Sequence, residues 1–309
     1  MLSVTEQYPT ASLGVLCSLS GYSRQAYYQH LHAVQKEALQ TELIIQQVVR
    51  IRKTQKRVGT RKLLLMMDRF FKEHHILMGR DAFFELLRDY GLLIRKTRRS
   101  KPKTTWSDHW LRKYPNLIRA FIPTAANQLW VSDITYIHLS GSFAYLSLIT
   151  DAYSRKVVGF CLCENLSAQG CISAMRMAIS NNKAGLRKLT HHSDRGVQYC
   201  SAQYVGMLAA SNIQISMSEN GDPLENAIAE RVNGILKEEL LEAVYPSFRE
   251  AQKAVATAIS TYNFQRLHSS IDMLTPAQAH LQQGTLKRHW KNYYNSTTKQ
   301  KEEVSMAAT

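Results

Sequence analysis

The sequence predicts an α/β protein: a mixed five-stranded sheet flanked by helices, preceded by an all-α helix-turn-helix region and followed by a helical extension. Three observations predict this. The first hundred residues have few β-branched runs and long stretches of 3.6-residue apolar periodicity. Near residue 126 the period shortens to that of strands. From there the segments follow the order β-β-β-α-β-α-β-α, the pattern of a mixed sheet covered by helices.

Element by element, LGVLCSLSGYSRQAYYQHL (13–31) reads as a helix, a tight turn at Gly21 and a second helix opening at Ser23, a good N-cap. That is a helix-turn-helix outline, although a hairpin packed only for stability gives the same pattern. A second pair follows, GTRKLLLMMDRFF and RDAFFELLRDYGL, with Gly91 as its stop. Phe83, Leu86 and Leu87 form its core face, leaving Arg80 and Arg88 for phosphates. IRKTRRSKPKTTWSDHWLRK (94–113) has no apolar period and reads as a basic linker, with Arg95, Lys96, Arg98, Arg99, Lys101 and Lys103 its candidate phosphate contacts. QLWVSDITYIHL and AYLSLITDAYS are two strands joined by a turn at Gly141, and KVVGFCLCEN is a third. SAQGCISAMRMAISNN is a helix capped by Ser167, LTHHSD a short strand, SAQYVGMLAAS a helix and IQISMS the last strand. Helices after 225 lead into FREAQKAVATAISTYNFQRLH and TPAQAHLQQG. The expected boundaries are 1–93 helical, 94–125 linker, 126–245 core, 246–284 helical extension and 285–309 a basic, then polar tail.

Charge narrows the function. The net formal charge is +15, which suits a polyanionic partner. Residues 51–113 hold eighteen Lys or Arg against six acids, a net of +12, whereas 201–250 hold three against eight. That concentration points to nucleic acid. The five cysteines form no C-x-x-C pair and read as small core residues of a reduced, cytosolic protein. No apolar run reaches the roughly 20 residues of a membrane span.

Three carboxylates stand in contexts that folding alone does not require. Asp133 interrupts the apolar run WVSDITYI, where an unpaired acid is costly. Asp194 ends the strand in HHSDRGVQY. Glu230 lies on ENAIAERVNGILKEEL with thirty-five residues between it and Asp194, and Asn226, Glu230, Asn233 and Lys237 share a stripe apart from the apolar face of Ile228, Val232, Ile235 and Leu236. Carboxylates from distant segments hold hard divalent cations, and paired cations suit phosphoryl chemistry. Asp151 reads as a turn acid pairing with Ser154 or Arg155. Arg266 and His268 could touch DNA or pack a helix.

These three segments and their spacing resemble the DDE catalytic core of insertion-sequence transposases and retroviral integrases. The likeness is to the second-frame (OrfB-type) protein of bacterial insertion sequences encoded in two overlapping frames. Those proteins carry WxxDITY, HSDxGxQY, a basic residue seven positions after the glutamate (here Lys237), and YNxxRxHxxLxxxTPxQ. Here the last reads YNFQRLHSSIDMLTPAQ, with Ile271 where leucine is usual. The similarity spans residues 10 to 280 or so, with Glu225-Asn226 replacing the family's frequent Asp-Asn. A retroviral His-His-Cys-Cys zinc domain is missing, as in the bacterial branch.

The resemblance implies an RNase H-like fold and Mg²⁺-dependent cleavage and strand transfer at the ends of a mobile DNA element. Asp133, Asp194 and Glu230 would be the catalytic and metal-binding residues for two Mg²⁺ ions, with Mn²⁺ an acceptable substitute. Lys237 would meet a DNA phosphate, and Asn226 and His192 would support the carboxylates. The implied partners are double-stranded DNA (terminal inverted repeats and target), further copies of the chain on that DNA, and an upstream-frame protein, in the bacterial cytoplasm at the nucleoid. A structure-selective nuclease on the same fold and a catalytically inactive DNA-binding regulator are the alternatives.

Overall fold

The structure, a computed structural model, describes residues 12–94, 109–119, 121–182, 186, 188–219 and 226–289. The chain divides into two compact units at Arg95/Lys96.

The first unit is helical: α1 Leu13–Leu19, α2 Arg24–Thr54, α3 Thr60–Met66, α4 Asp68–Glu73 and α5 Arg80–Asp89. Ser23 caps α2 as expected, its hydroxyl accepting the Ala26 N–H at 3.1 Å. The helix-turn-helix outline is therefore present locally, but α2 runs on for 31 residues because no Gly or Pro interrupts it. The helix expected over 59–71 is instead broken at Met67 into α3 and α4. Gly91, at φ 65°, turns the chain after α5, a left-handed conformation that glycine adopts without steric cost. Phe83 and Leu87 are fully buried with Ile44, Val48, Leu63 and Met67.

The second unit holds β1 Leu129–Leu139, β2 Ser142–Asp151, β3 Val157–Cys163, α6 Ala168–Asn181, β4 Thr190–Ser193, α7 Val197–Cys200, α8 Ala202–Ala210, β5 Gln214–Met217 and α9 Ala227–Ile235. A π-helical turn, Leu236–Leu240, continues α9, and α10 Phe248–Phe264 and α11 Pro276–Ala279 follow. The sheet order is β3-β2-β1-β4-β5, with β1–β2 and β2–β3 antiparallel and β1–β4 and β4–β5 parallel. This is the mixed, RNase H-like sheet that the sequence led us to expect.

Strand alternation sorts the core into two layers. Trp130 and Ile149 pack with α6 and α8 on one face, while Ile137, Leu146 and Leu148 pack with α9, the π turn and α10 on the other. Burying one such side chain contributes about 1.5–3 kcal/mol. Gly159 sets the approach of α6 to β3. A Cβ there would lie 2.1 Å from the Ala174 carbonyl oxygen.

Two segments differ from expectation. Residues 109–119, expected within a linker, lie along β5: the Leu117 N–H donates to Ser216 Oγ at 2.9 Å, and Leu111 and Tyr114 join the α6/α8 core. Apolar side chains spaced among the basic residues let this stretch adhere. The start of the tail is also held, with the Asp272 N–H donating to the Lys287 carbonyl and the His289 N–H to that of Ser269, each at 2.8 Å.

Candidate active site

β1 places its odd-numbered residues toward α9. Asp133 is one of them, and this is why an acid can interrupt an apolar strand: its carboxyl faces a partly polar helix. Oδ1 accepts the Ile134 N–H at 2.8 Å, and Oδ2 accepts the Asn233 amide at 2.7 Å. Burial pushes its pKa up to about 7, helped by the negative charge of Asp194 and, more weakly, Glu230, against the lowering effect of its two hydrogen bonds. The three carboxylates therefore share one electrostatic neighbourhood.

Asp194 follows β4 directly. The parallel pairing runs from Leu129/Thr190 to Val131/His192, and Asp133 and Asp194 each lie two residues beyond that last pair on their own segments. Asp194 Oδ1 accepts the Gly196 N–H at 3.0 Å, closing a local turn. His109 reaches the same loop, its Nε2 lying 2.7 Å from the Arg195 carbonyl. Glu230 is exposed in the first turn of α9.

The helical stripe lies along β1. The Asn226 amide donates to the Ser132 carbonyl at 2.9 Å, Asn233 to Asp133, and the Lys237 ammonium sits 3.9 Å from the centre of the Tyr136 ring. The exposed member is Glu230, flanked by anchors. Asn233 shares the stripe, and its i+3 offset from Glu230 is the sequence signal for its place beside Asp133. Among the described residues, no group of three or more His, Cys, Asp or Glu side chains stands close enough to hold a metal ion in this conformation.

Other candidates are placed less directly. His192 is buried in β4 with Nδ1 2.9 Å from Ser216 Oγ, so it ties β4 to β5. Its neighbour His191 meets Ser132 Oγ at 2.7 Å, and burial lowers its pKa to about 3, so it is neutral. Arg80 pairs with its neighbour Asp81 at 2.8 Å, and Arg88 is exposed. Arg95, Lys96, Arg98, Arg99, Lys101 and Lys103 lie outside the described residues. Asp151 accepts from Ser154 N–H, Ser154 Oγ and Asn127 N–H, which makes it a turn acid, and Arg155 meets it only through its backbone N–H. Arg266 is 2% exposed and forms two 2.8 Å bonds with Glu239, so it packs a helix.

The profile described as integrase core domain matches residues 123–223, and a second of that description matches 211–276. A 31 kDa protein of insertion element IS600 from Shigella sonnei, itself uncharacterized, is 34% identical over 85% of this chain and 96% of its own length. A putative transposase of element IS986/IS6110 from Mycobacterium tuberculosis (strain CDC 1551 / Oshkosh) is 31% identical over 71% of this chain and 80% of its own. The chain belongs to the insertion-sequence transposase family, with an integrase-like core. Within that family, transposase InsF of IS3A from Escherichia coli (strain K12) is 33% identical over 62% of this chain and 67% of the relative. Among solved structures, the HTLV-2 integrase catalytic core domain, in complex with magnesium, is 21% identical at a TM-score of 0.41, covering 50% of this chain and 97% of that one. A chain of the simian T-cell lymphotropic virus intasome, in complex with PP2A regulatory subunit B56 gamma, is 17% identical at a TM-score of 0.46, covering 80% of this chain and 78% of that one.

Proposed function

We propose that this chain cuts and joins phosphodiester bonds at the ends of an insertion element, with Asp133, Asp194 and Glu230 as its catalytic carboxylates. The observation that carries the reading is the state of Asp133. A carboxyl pushed up to about 7 by burial and by Asp194 and Glu230 is a site short of positive charge. That shortage fits divalent cations of the Mg²⁺ type, and these three residues would hold two. Bound there, such ions would polarise the scissile phosphate and lower the pKa of an attacking hydroxyl.

The protein's own groups prepare that chemistry. Asn233 and the Ile134 N–H each take one lone pair of Asp133, fixing its rotation and leaving the remaining lone pairs for a cation. The Gly196 N–H fixes Oδ1 of Asp194 in the same way. Asn226 ties the start of α9 to β1, so Glu230 is presented from a fixed helix. Lys237, one stripe position beyond Asn233, would meet a DNA phosphate from its place over Tyr136. Water as nucleophile gives cleavage, and the freed 3′-hydroxyl as nucleophile gives joining, without a covalent enzyme intermediate. Double-stranded DNA is the partner, both terminal repeats and target, and holding two ends together calls for more than one copy of the chain.

The test uses duplex DNA carrying the element's ends, with and without Mg²⁺. Alanine at Asp133, Asp194 or Glu230 is expected to leave binding within about twofold and to reduce cleavage and joining by at least about 10³-fold, and EDTA does the same to the unaltered protein. Strand transfer surviving in the three variants removes the assignment.

A further inference from the structure

A second polar feature of the core lies outside the carboxylate site. A cavity of about 280 Å³ opens beside the first turn of α9, lined by Asn226 and Ile228, by Val131 of β1, and by Tyr153, Arg155 and Arg288. Arg155 sits in the turn between β2 and β3, at φ 66°. A non-glycine residue held in the left-handed region is strained. Its guanidinium Nη1 is sealed from solvent and, among the described residues, donates to nothing. The nearby carboxylate, Asp151, is occupied by Ser154 and Asn127. Burial lowers the pKa of Arg155, Tyr262 acts upward, Arg288 adds to the lowering and Asp151 opposes it. The Tyr153 hydroxyl, on the same wall, is likewise buried without a partner.

A largely buried cation whose sealed donor has no partner and which forms no ion pair is normally matched by an anion. Here two unused donors and a second arginine line one cavity at the N-terminal end of a nine-residue helix, where exposed N–H groups also favour negative charge. We propose that this cavity is a binding site for a phosphate group, held by Arg155 and Tyr153 with Arg288 at its wall. Tetrahedral oxyanions accept the planar guanidinium fork well. The phosphate could come from the backbone of DNA lying across the protein or from a free or terminal phosphate, and only the first source rests on the function proposed above.

The experiment measures thermal midpoints of the full chain without Mg²⁺ and without any cleavage step, so it can fail while the catalytic reading stands, and the reverse. The probes are inorganic phosphate and dimethyl phosphate, each against chloride at equal ionic strength. At least one is expected to raise the midpoint by about 2–4 °C. A rise with dimethyl phosphate identifies the diester of a DNA backbone, and a rise with inorganic phosphate alone identifies a free or terminal phosphate. In Arg155→Met the rise is lost while the ligand-free midpoint stays level or increases, because a partly buried charge with an unpaired donor has gone; Arg155→Lys keeps part of the rise. No rise with either probe, a rise that persists in Arg155→Met, or a ligand-free Arg155→Met that melts lower or fails to fold overturns the proposal, the last by showing that Arg155 is a structural residue.

Discussion

Asp133 is a carboxyl whose ionisation the fold resists. Its pKa stands at about 7 against an ordinary 3.8, chiefly through burial and Asp194. In the unfolded chain the carboxyl is ionised from about pH 4 upward, whereas in the folded protein it keeps its proton until about pH 7. Folding therefore takes up a proton in that window, and the contribution of Asp133 to stability falls as pH rises through it, remaining unfavourable above it. Asp133→Asn removes the cost. In metal-free buffer the variant is expected to be more stable than the parent at pH 8, on the order of a few kcal/mol, with the difference vanishing near pH 4. Urea denaturation at several pH values measures this, and a difference that does not change with pH contradicts it. Mg²⁺ should stabilise the parent and not the variant, since the same ionised carboxylate that weakens the empty fold is a proposed ligand. Asn233 enters here as a positioning residue, because its bond to Oδ2 holds the acid without neutralising it.

At the scale of elements, the segment YNFQRLHSSIDMLTPAQ proves to be a fastening. Asn263, at the end of α10, pairs with both the N–H and the C=O of Val157 at 2.9 Å, closing the exposed edge of β3. Arg266 locks onto Glu239 of the π turn, and Thr275 with Gln278 forms a capping box for α11. Asn263→Ala strips two buried backbone groups of their partner and is expected to cost about 2–4 kcal/mol in urea denaturation, with DNA affinity of the folded protein unchanged. Lower affinity at unchanged stability would instead make Asn263 a DNA contact. The strands, their order along the chain and the stripe of α9 were legible in the sequence because strand alternation and helical i, i+3, i+4 spacing are local. The side chains that tie distant segments together were not. Nothing near Asn263 announces Val157, nothing near Leu117 announces Ser216, and the break at Met67 leaves an apolar run that reads as one helix. Asp133 was legible for the opposite reason, as an acid that no strand in an apolar core would otherwise carry.

Along the whole chain, basic and acidic stretches are separated in sequence. Residues 51–113 carry a net of +12, while the proposed catalytic carboxylates lie between residues 133 and 230, and the stretch 201–250 holds eight acids against three bases. A negative site repels the polyanion that it is proposed to cut, so attraction has to come from elsewhere in the chain. The basic run at Lys96, Arg98, Arg99, Lys101 and Lys103 is the densest source, and each phosphate it neutralises releases a counterion, so that affinity falls with salt in proportion to the number of phosphates neutralised. Replacing these five residues by Gln is expected to weaken duplex binding at about 50 mM salt by one or more orders of magnitude and to flatten the plot of log affinity against log salt by about 0.9 for each phosphate left unneutralised. At high salt the two proteins should converge. Fluorescence anisotropy over a salt series measures both quantities, and thermal melting should show unchanged stability. Equal slopes for parent and variant would move the electrostatic attraction to the other basic residues of 51–113, Arg88 among them.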